Sequence, residues 1–427
     1  MRRIRRPLSA RVLVASPGGR FATRGRKSLD RLVCRAYPRG ASAVSGGGRA
    51  ETGCRLAHPP APADTAALRG ALIANRLTAE GSTARPEGEP MPSHHTVLML
   101  TAVLISMITP WVATASPPVK APTASRLVSG LQGATGSTVG PGGDLYVTEA
   151  LTGTISRVDP KTGEIETFAT GLPTRVGRIG GAMDVAFIGQ TAYVLVTLVG
   201  PDVGGSGIVG IYRMDGPNSF TVIADIGAFA VQNPPTTPFF VPTGVQYALE
   251  VYRAGFLVTD GHHNRVLHVT LDGEVTEFAT FDNIVPTGLA VSGNTVYMAQ
   301  AGPVPHLPEN GKVVAIDPKA VAIDPTSPAT DVASGARLLV DVEFGRGRQL
   351  YALAQGLFLG PRDGFPAEPN TGSLVQVNAN GTFTVVLEPL DRPTSLDFIG
   401  NTAYVVNLAG EIWKIENVGT PPFGVPK

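Results

Sequence analysis

Asp144-Leu-Tyr-Val-Thr-Glu-Ala-Leu-Thr-Gly-Thr-Ile-Ser-Arg-Val-Asp-Pro-Lys-Thr-Gly163, continued by Glu164-Ile-Glu-Thr-Phe-Ala-Thr-Gly171, is the stretch that decides the fold. It reads as three short strands. The apolar Leu145-Tyr-Val147 comes first, then the alternating Ile155-Ser-Arg-Val-Asp159, then Ile165–Ala169 behind a Lys161-Thr-Gly163 turn. Period-two alternation marks a half-buried strand, and a glycine turn between two such runs marks a hairpin.

The same unit recurs along the chain. Strands equivalent to Leu145-Tyr-Val147 are Ala192-Tyr-Val194, Phe256-Leu-Val258, Val296-Tyr-Met298, Leu350-Tyr-Ala352 and Ala403-Tyr-Val405. Their centres are spaced by 47, 64, 40, 54 and 53 residues, the interval of four-stranded propeller blades with variable loops. The following strands begin at Ile155, Ile211, Val266, Val313, Leu374 and Ile412. Closing strands follow at Ile165, Phe220, Val275 and Phe383, but the sixth repeat ends without one. The missing piece is expected from the other end, because Ser125-Arg-Leu-Val-Ser-Gly-Leu131 matches Glu166-Thr-Phe-Ala-Thr-Gly-Leu172. The expected fold is therefore all-β, a six-bladed β-propeller over 124–427 whose N-terminal strand completes the last blade. Closing the ring this way removes an exposed sheet edge.

Composition agrees. With 51 Gly, 37 Pro and only 16% charged residues, the chain suits many short strands joined by turns better than long helices. Its net charge of +1 hides a split: residues 1–90 hold 17 Lys+Arg against 6 Asp+Glu, and the remainder is acidic. An acidic body with 6% aromatics argues against nucleic acid or an anionic membrane as partner. Both cysteines, Cys34 and Cys54, fall in the basic segment, so no disulfide is expected in the propeller.

Residues 1–90 form a basic low-complexity segment, either a long leader or the product of a start assigned too early, with Met91 the true start. Residues 91–115 read as a signal peptide: the apolar run Thr96–Ile108 is followed by Ala113-Thr-Ala115, the A-x-A pattern of a cleavage site. Cleavage after Ala115 would release a secreted, extracytoplasmic chain with a short linker at 116–123 and no membrane span.

The Asp144–Gly163 stretch resembles repeats of streptogramin lyase and NHL-type propellers. Residues 121–427 as a whole are similar to the ScyD/ScyE family of exported bacterial propellers, through Gly311-Lys-Val-Val-Ala-Ile-Asp-Pro318, Val340-Asp-Val-Glu-Phe-Gly-Arg-Gly347 and Leu350-Tyr-Ala-Leu-Ala-Gln-Gly356. The resemblance implies fold and export. It transfers no activity, because neither the lyase's catalytic His and Glu nor the metal ligands of gluconolactonase-like propellers can be placed residue by residue in this chain.

Candidate site residues come from position in the blade. Three residues beyond each strand centre stand Glu149, Asp260, Gln300 and Asn407, with Gln355 and Thr197 one residue further. A polar ring at the channel mouth suits a polyol or a Ca²⁺ or Mg²⁺ ion; alternatively each group caps its own turn or binds the next blade. Asp184 and Asp341 occupy matching places in the first strands of their blades, with Gly244, Gly288 and Ser395 as expected counterparts. Such acids would bind a metal, act as a base, or be structural carboxylates held by backbone N–H groups. The pair His262-His263 suggests Zn²⁺, yet adjacent strand residues face opposite ways. His306 lies in a long loop that reaches the same face. The insertions 198–207 and 356–372 are expected to be lids or contact surfaces; Gly205-Ser-Gly-Ile-Val-Gly210 precedes a strand, not a helix, which excludes a dinucleotide fingerprint. The reading is of a binding or interaction module for a protein, glycan or small molecule. The alternative is a metal-assisted lactonase- or lyase-like enzyme working at the central mouth.

Overall fold

The computed structural model describes residues 120–321, 324, 326, 329–362 and 364–419. The expected leader, the signal peptide, both cysteines and the start of the linker lie outside the described residues.

Twenty-four strands form six four-stranded antiparallel sheets, a six-bladed β-propeller. Strand β1 (Thr123–Ser129) precedes the first complete blade, which is β2 (Ala134–Val139), β3 (Leu145–Glu149), β4 (Thr154–Val158) and β5 (Ile165–Ala169). Blade two is β6 (Gly181–Ile188), β7 (Thr191–Thr197), β8 (Gly210–Gly216) and β9 (Ser219–Asp225). Helix α1 (Ile226–Gln232) leads to blade three, β10 (Gln246–Tyr252), β11 (Gly255–Asp260), β12 (Arg265–Thr270) and β13 (Val275–Thr280). Blade four is β14 (Pro286–Ser292), β15 (Thr295–Gln300), β16 (Lys312–Ile316) and β17 (Thr330–Ser334), with α2 (Pro318–Val321) before its last strand. Blade five is β18 (Leu339–Phe344), β19 (Leu350–Ala354), β20 (Gly372–Val377) and β21 (Phe383–Leu390). Blade six holds β22 (Pro393–Ile399), β23 (Thr402–Asn407) and β24 (Glu411–Glu416), and β1 hydrogen-bonds to β24 as its outer strand, Arg126 opposite Trp413. The first strand of each blade meets that of the next, and β22 meets β2, so the ring closes around a central axis.

The tyrosine that marks five of the six repeats has a packing reason. Tyr146, Tyr297 and Tyr351 set their rings 4.6, 5.3 and 4.9 Å from Phe187, Phe344 and Phe398 on the first strand of the following blade. Tyr193 meets Phe256 of blade three at 4.9 Å. The hydroxyl of Tyr404 reaches back to donate to Pro160 O of blade one at 3.2 Å. Tilted and edge-on aromatic pairs of this kind add to plain apolar burial, so a tyrosine joins five of the six blades to a neighbour, while blade three carries Leu257 at that position.

In an antiparallel meander the turns between second and third strands, and the connections between blades, share one face. That loop face carries the long insertions. Among the described residues no helix is long and apolar enough to cross a membrane.

Candidate functional site

Each first strand carries a register shift near its middle, and this sets which residues are equivalent around the axis. The residue preceding Ser137, Val185, Leu249, Leu289, Val342 and Leu396, which pair with Val147, Val194, Val258, Met298, Ala352 and Val405, gives the ring Gly136, Asp184, Ala248, Gly288, Asp341 and Ser395. The counterpart in blade three is thus Ala248 and not Gly244, which lies before β10; the extra residue at the bulge displaces a simple sequence alignment.

Asp184 and Asp341 stand on blades two and five, which face each other across a ring of six. Each carboxylate bonds forward into the next blade. Asp184 Oδ2 accepts from Leu249 N at 2.7 Å and Asp341 Oδ2 from Leu396 N at 2.7 Å, while each Oδ1 accepts from the following backbone N–H at 2.8 Å. The glycine on the preceding blade makes room. A Cβ on Gly136 would come within 2.5 Å of Asp184 Oδ1, and one on Gly288 within 2.5 Å of Asp341 Oδ1. The axis therefore has an approximate two-fold pattern: Gly136–Asp184–Ala248 over blades one to three, and Gly288–Asp341–Ser395 over blades four to six.

Tyr247 crosses between the halves and donates from its hydroxyl to Thr394 O at 2.9 Å. It borders a cavity of about 20 Å³, and beyond it, toward the face opposite the long loops, lies a chamber of about 210 Å³. Asp184 and Asp341 line both. Glu250, Glu343 and Asp397, paired opposite the repeat-marking Leu257, Tyr351 and Tyr404, complete the acids of the larger chamber. Among the described residues no Lys, Arg or His lines either space. With solvent removed and no cation nearby, the charged carboxylate form is disfavoured. Burial pushes Glu250 up to about 8, with the charge of Asp184 adding to it. It pushes Asp341 up to about 8 against the opposing Leu396 and Val342 N–H groups, and Asp397 up to about 6 against the Ser137 hydroxyl. Asp184 and Glu343 are raised well above the carboxylate range for the same first reason, burial.

The other five expected residues line neither space. Glu149 accepts from Gln132 N and from Ser156 Oγ, both at 2.5 Å. Gln355 accepts from Ala367 N at 3.0 Å and donates to Pro393 O at 3.3 Å. Asn407 Oδ1 accepts from Ala409 N and Glu411 N at 3.1 and 3.0 Å. Gln300 pairs with Pro286 at the end of its strand and is 6% exposed. Asp260, fully buried, accepts from Val245 N at 2.9 Å through Oδ1, and its Oδ2 sits 3.1 Å from His263 Nδ1 and 3.5 Å from Arg265 Nε. Burial acts to raise the Asp260 carboxyl, but His263 and Arg265 outweigh it and the net shift is downward. Among the described residues no group of three or more His, Cys, Asp or Glu side chains is gathered so as to hold a metal ion.

One of the long loops spans the mouth. The 356–372 insertion of blade five reaches the connection between blades one and two on the far side, where the Arg178 guanidinium lies 4.5 Å from the centre of the Phe365 ring. Its inner residues Phe358 and Ala367 are buried, while Leu359 is 67% exposed. His306, another candidate, directs Nδ1 toward Gly302 O at 2.7 Å within its own loop and lies edge-on to Phe358.

No family model matches the chain, and no curated protein matches it in sequence. Among solved structures it is similar to virginiamycin B lyase from Staphylococcus aureus, at 14% identity over 69% of this chain and 98% of that one with a TM-score of 0.42. It is similar also to the PQQ-bound form of aldose sugar dehydrogenase from Streptomyces coelicolor, at 16% identity over 70% and 99% with a TM-score of 0.45. A gluconolactonase from Xanthomonas campestris matches at 12% identity over 70% and 89%, with a TM-score of 0.47. The fold assignment rests on the six sheets themselves.

Proposed function

We propose that this chain is an exported β-propeller of the ScyD/ScyE type that works as an interaction module, docking a partner on its loop face. One observation carries the reading. Of the twelve exposed large apolar side chains among the described residues, nine stand on that face, eight in its loops, including Phe240 (65% exposed) and Leu359 (67%), and Val231 (56%) in α1. Scattered apolar residues are ordinary, but their concentration on one face is the mark of a contact surface. A metal-assisted lactonase or lyase would need ligands brought together at the mouth. The oxygens of Glu149, Asp260 and Asn407 are instead engaged within separate blades, which favours interaction over catalysis. Export rests on the apolar stretch ending at Ala115.

The test is binding of the purified chain to glycan and peptide arrays, with Phe240→Asp and Leu359→Asp on the loop face and Val385→Asp on an outer strand as control. Binding lost with both loop-face variants and kept by the control supports the reading. Binding indifferent to Phe240 and Leu359 refutes it.

A further inference from the structure

The most exposed aromatic pair of the loop face, Phe239 and Phe240, rides on the connection from α1 to β10, residues 233–245. This strap contains Pro234, Pro235, Pro238 and Pro242 and no charged residue. Proline removes donors, and nine backbone N–H groups remain in the strap; those of Asn233, Thr243, Gly244 and Val245 anchor its two ends. In its middle, two end on a single atom: Phe240 N and Val241 N both donate to His262 Nε2, at 2.8 and 3.1 Å. The rings of Phe240 and His262 are edge-on at 4.2 Å.

We propose that His262 is an acid-sensitive clamp that holds the Phe239–Phe240 strap in place when neutral and releases it when protonated. An imidazole nitrogen accepts only while it carries no proton. A proton on Nε2 turns the shared acceptor into a donor facing two donors, so both hydrogen bonds are lost together. The neighbouring ring behaves differently. His263 Nε2–H donates to Val241 O at 3.0 Å, and its Nδ1 lies 3.1 Å from both Arg265 Nη2 and Asp260 Oδ2. A proton on Nδ1 there exchanges an Arg265 contact for an Asp260 contact and leaves the Val241 bond intact. Charged groups near the turn include Glu277 of β13, paired with Arg265 at 2.8 Å, and Asp202, which accepts from Thr243 Oγ1 at 2.7 Å. Asp282 stands on the turn whose Ile284 and Val285 N–H groups donate to Asn264. None of these replaces the acceptor at Nε2. Histidine titrates within the range that separates neutral from mildly acidic surroundings, so the strap is expected to be closed near pH 7.5 and open near pH 5.

This regulates the loop face and takes its functional meaning from the reading above, but its test needs no partner. Hydrogen exchange is followed on the full chain at pH 7.5 and 5.0, corrected for intrinsic exchange rates, with 357–371 as the reference loop. The amides of Phe240 and Val241 are expected to lose protection about tenfold or more at pH 5.0. His262→Gln, whose amide oxygen accepts but does not titrate, is expected to remove that pH dependence, and His262→Lys to leave the strap unprotected at both values. Equal wild-type protection at the two pH values overturns the clamp, as does an undiminished acid loss in His262→Gln. Array binding that ignores Phe240→Asp would overturn the interaction reading alone and leave the clamp standing.

Discussion

Replacing Asp341 with Asn should flatten the pH dependence of stability. The folded carboxyl is held at about 8, whereas an unfolded aspartate titrates near 3.9. Between roughly pH 5 and 7 the native state therefore holds one proton more than the unfolded chain at this residue. Stability then falls as pH rises, by about 1.4 kcal/mol per unit, or ~3 kcal/mol over the window. The contribution is full in acid, below the unfolded value, and is lost as pH climbs through the folded one. Glu250, also at about 8, steepens the wild-type slope. An asparagine keeps an acceptor for Leu396 N and gives up the one for Val342 N, a cost of ~1 kcal/mol that is the same at every pH. The slope is therefore the diagnostic quantity. Asp341 already carries its proton across this window, so the other acids keep their contributions and the variant should lose about 3 kcal/mol less than wild type between pH 5 and 7. Urea denaturation at the two pH values measures this directly. Equal losses in the two proteins, or a wild-type stability that rises from pH 5 to 7, would refute the reasoning.

Gly288→Ala should destabilise by ~2 kcal/mol or more, because its Cβ would stand 2.5 Å from the Asp341 Cα, a clash with backbone; the thermal midpoint reports it. Arg265→Ala should cost about 3–5 kcal/mol in denaturant unfolding, since it leaves Asp260 buried beside His263 alone. Tyr247→Phe removes only the 2.9 Å bond to Thr394 O and should cost ~1 kcal/mol by the same assay. Ca²⁺ or Mg²⁺ added to chelator-stripped protein should leave its melting temperature unchanged; a rise abolished by Glu149→Ala and Asp260→Ala would instead put a cation at the polar ring.

The blades were legible because one residue type repeats for one reason: the tyrosine that packs against the next blade is large, apolar and nearly invariant in position. The closing strand of blade four, Thr330–Ser334, was not legible. It follows a helical insertion and its alternation is weak, with Thr330, Asp331 and Ser334 exposed. At the axis, Asp184 and Asp341 stood out because their flanking residues match. Glu250, Glu343 and Asp397 were missed, although a signal existed, since each lies directly across the hairpin from a repeat-marking residue. Reading it required the correct register, and the bulge in each first strand shifts that register where the eye would align Gly244. The clamp at His262 depends on where a proline-rich strap settles, which no local pattern encodes.

Tyr247 stands in the place that Thr394 occupies in the other half of the ring. Two halves can share Gly136 with Gly288 and Asp184 with Asp341, because those come in pairs. The axis itself is a single line with room for one phenol. Whatever bridges it must be given by one half and received by the other, so the two halves cannot become identical without either a collision or a gap. The tyrosine thus fixes a direction across an otherwise even-handed ring, and blades one to three can be told from blades four to six by which of them reaches over.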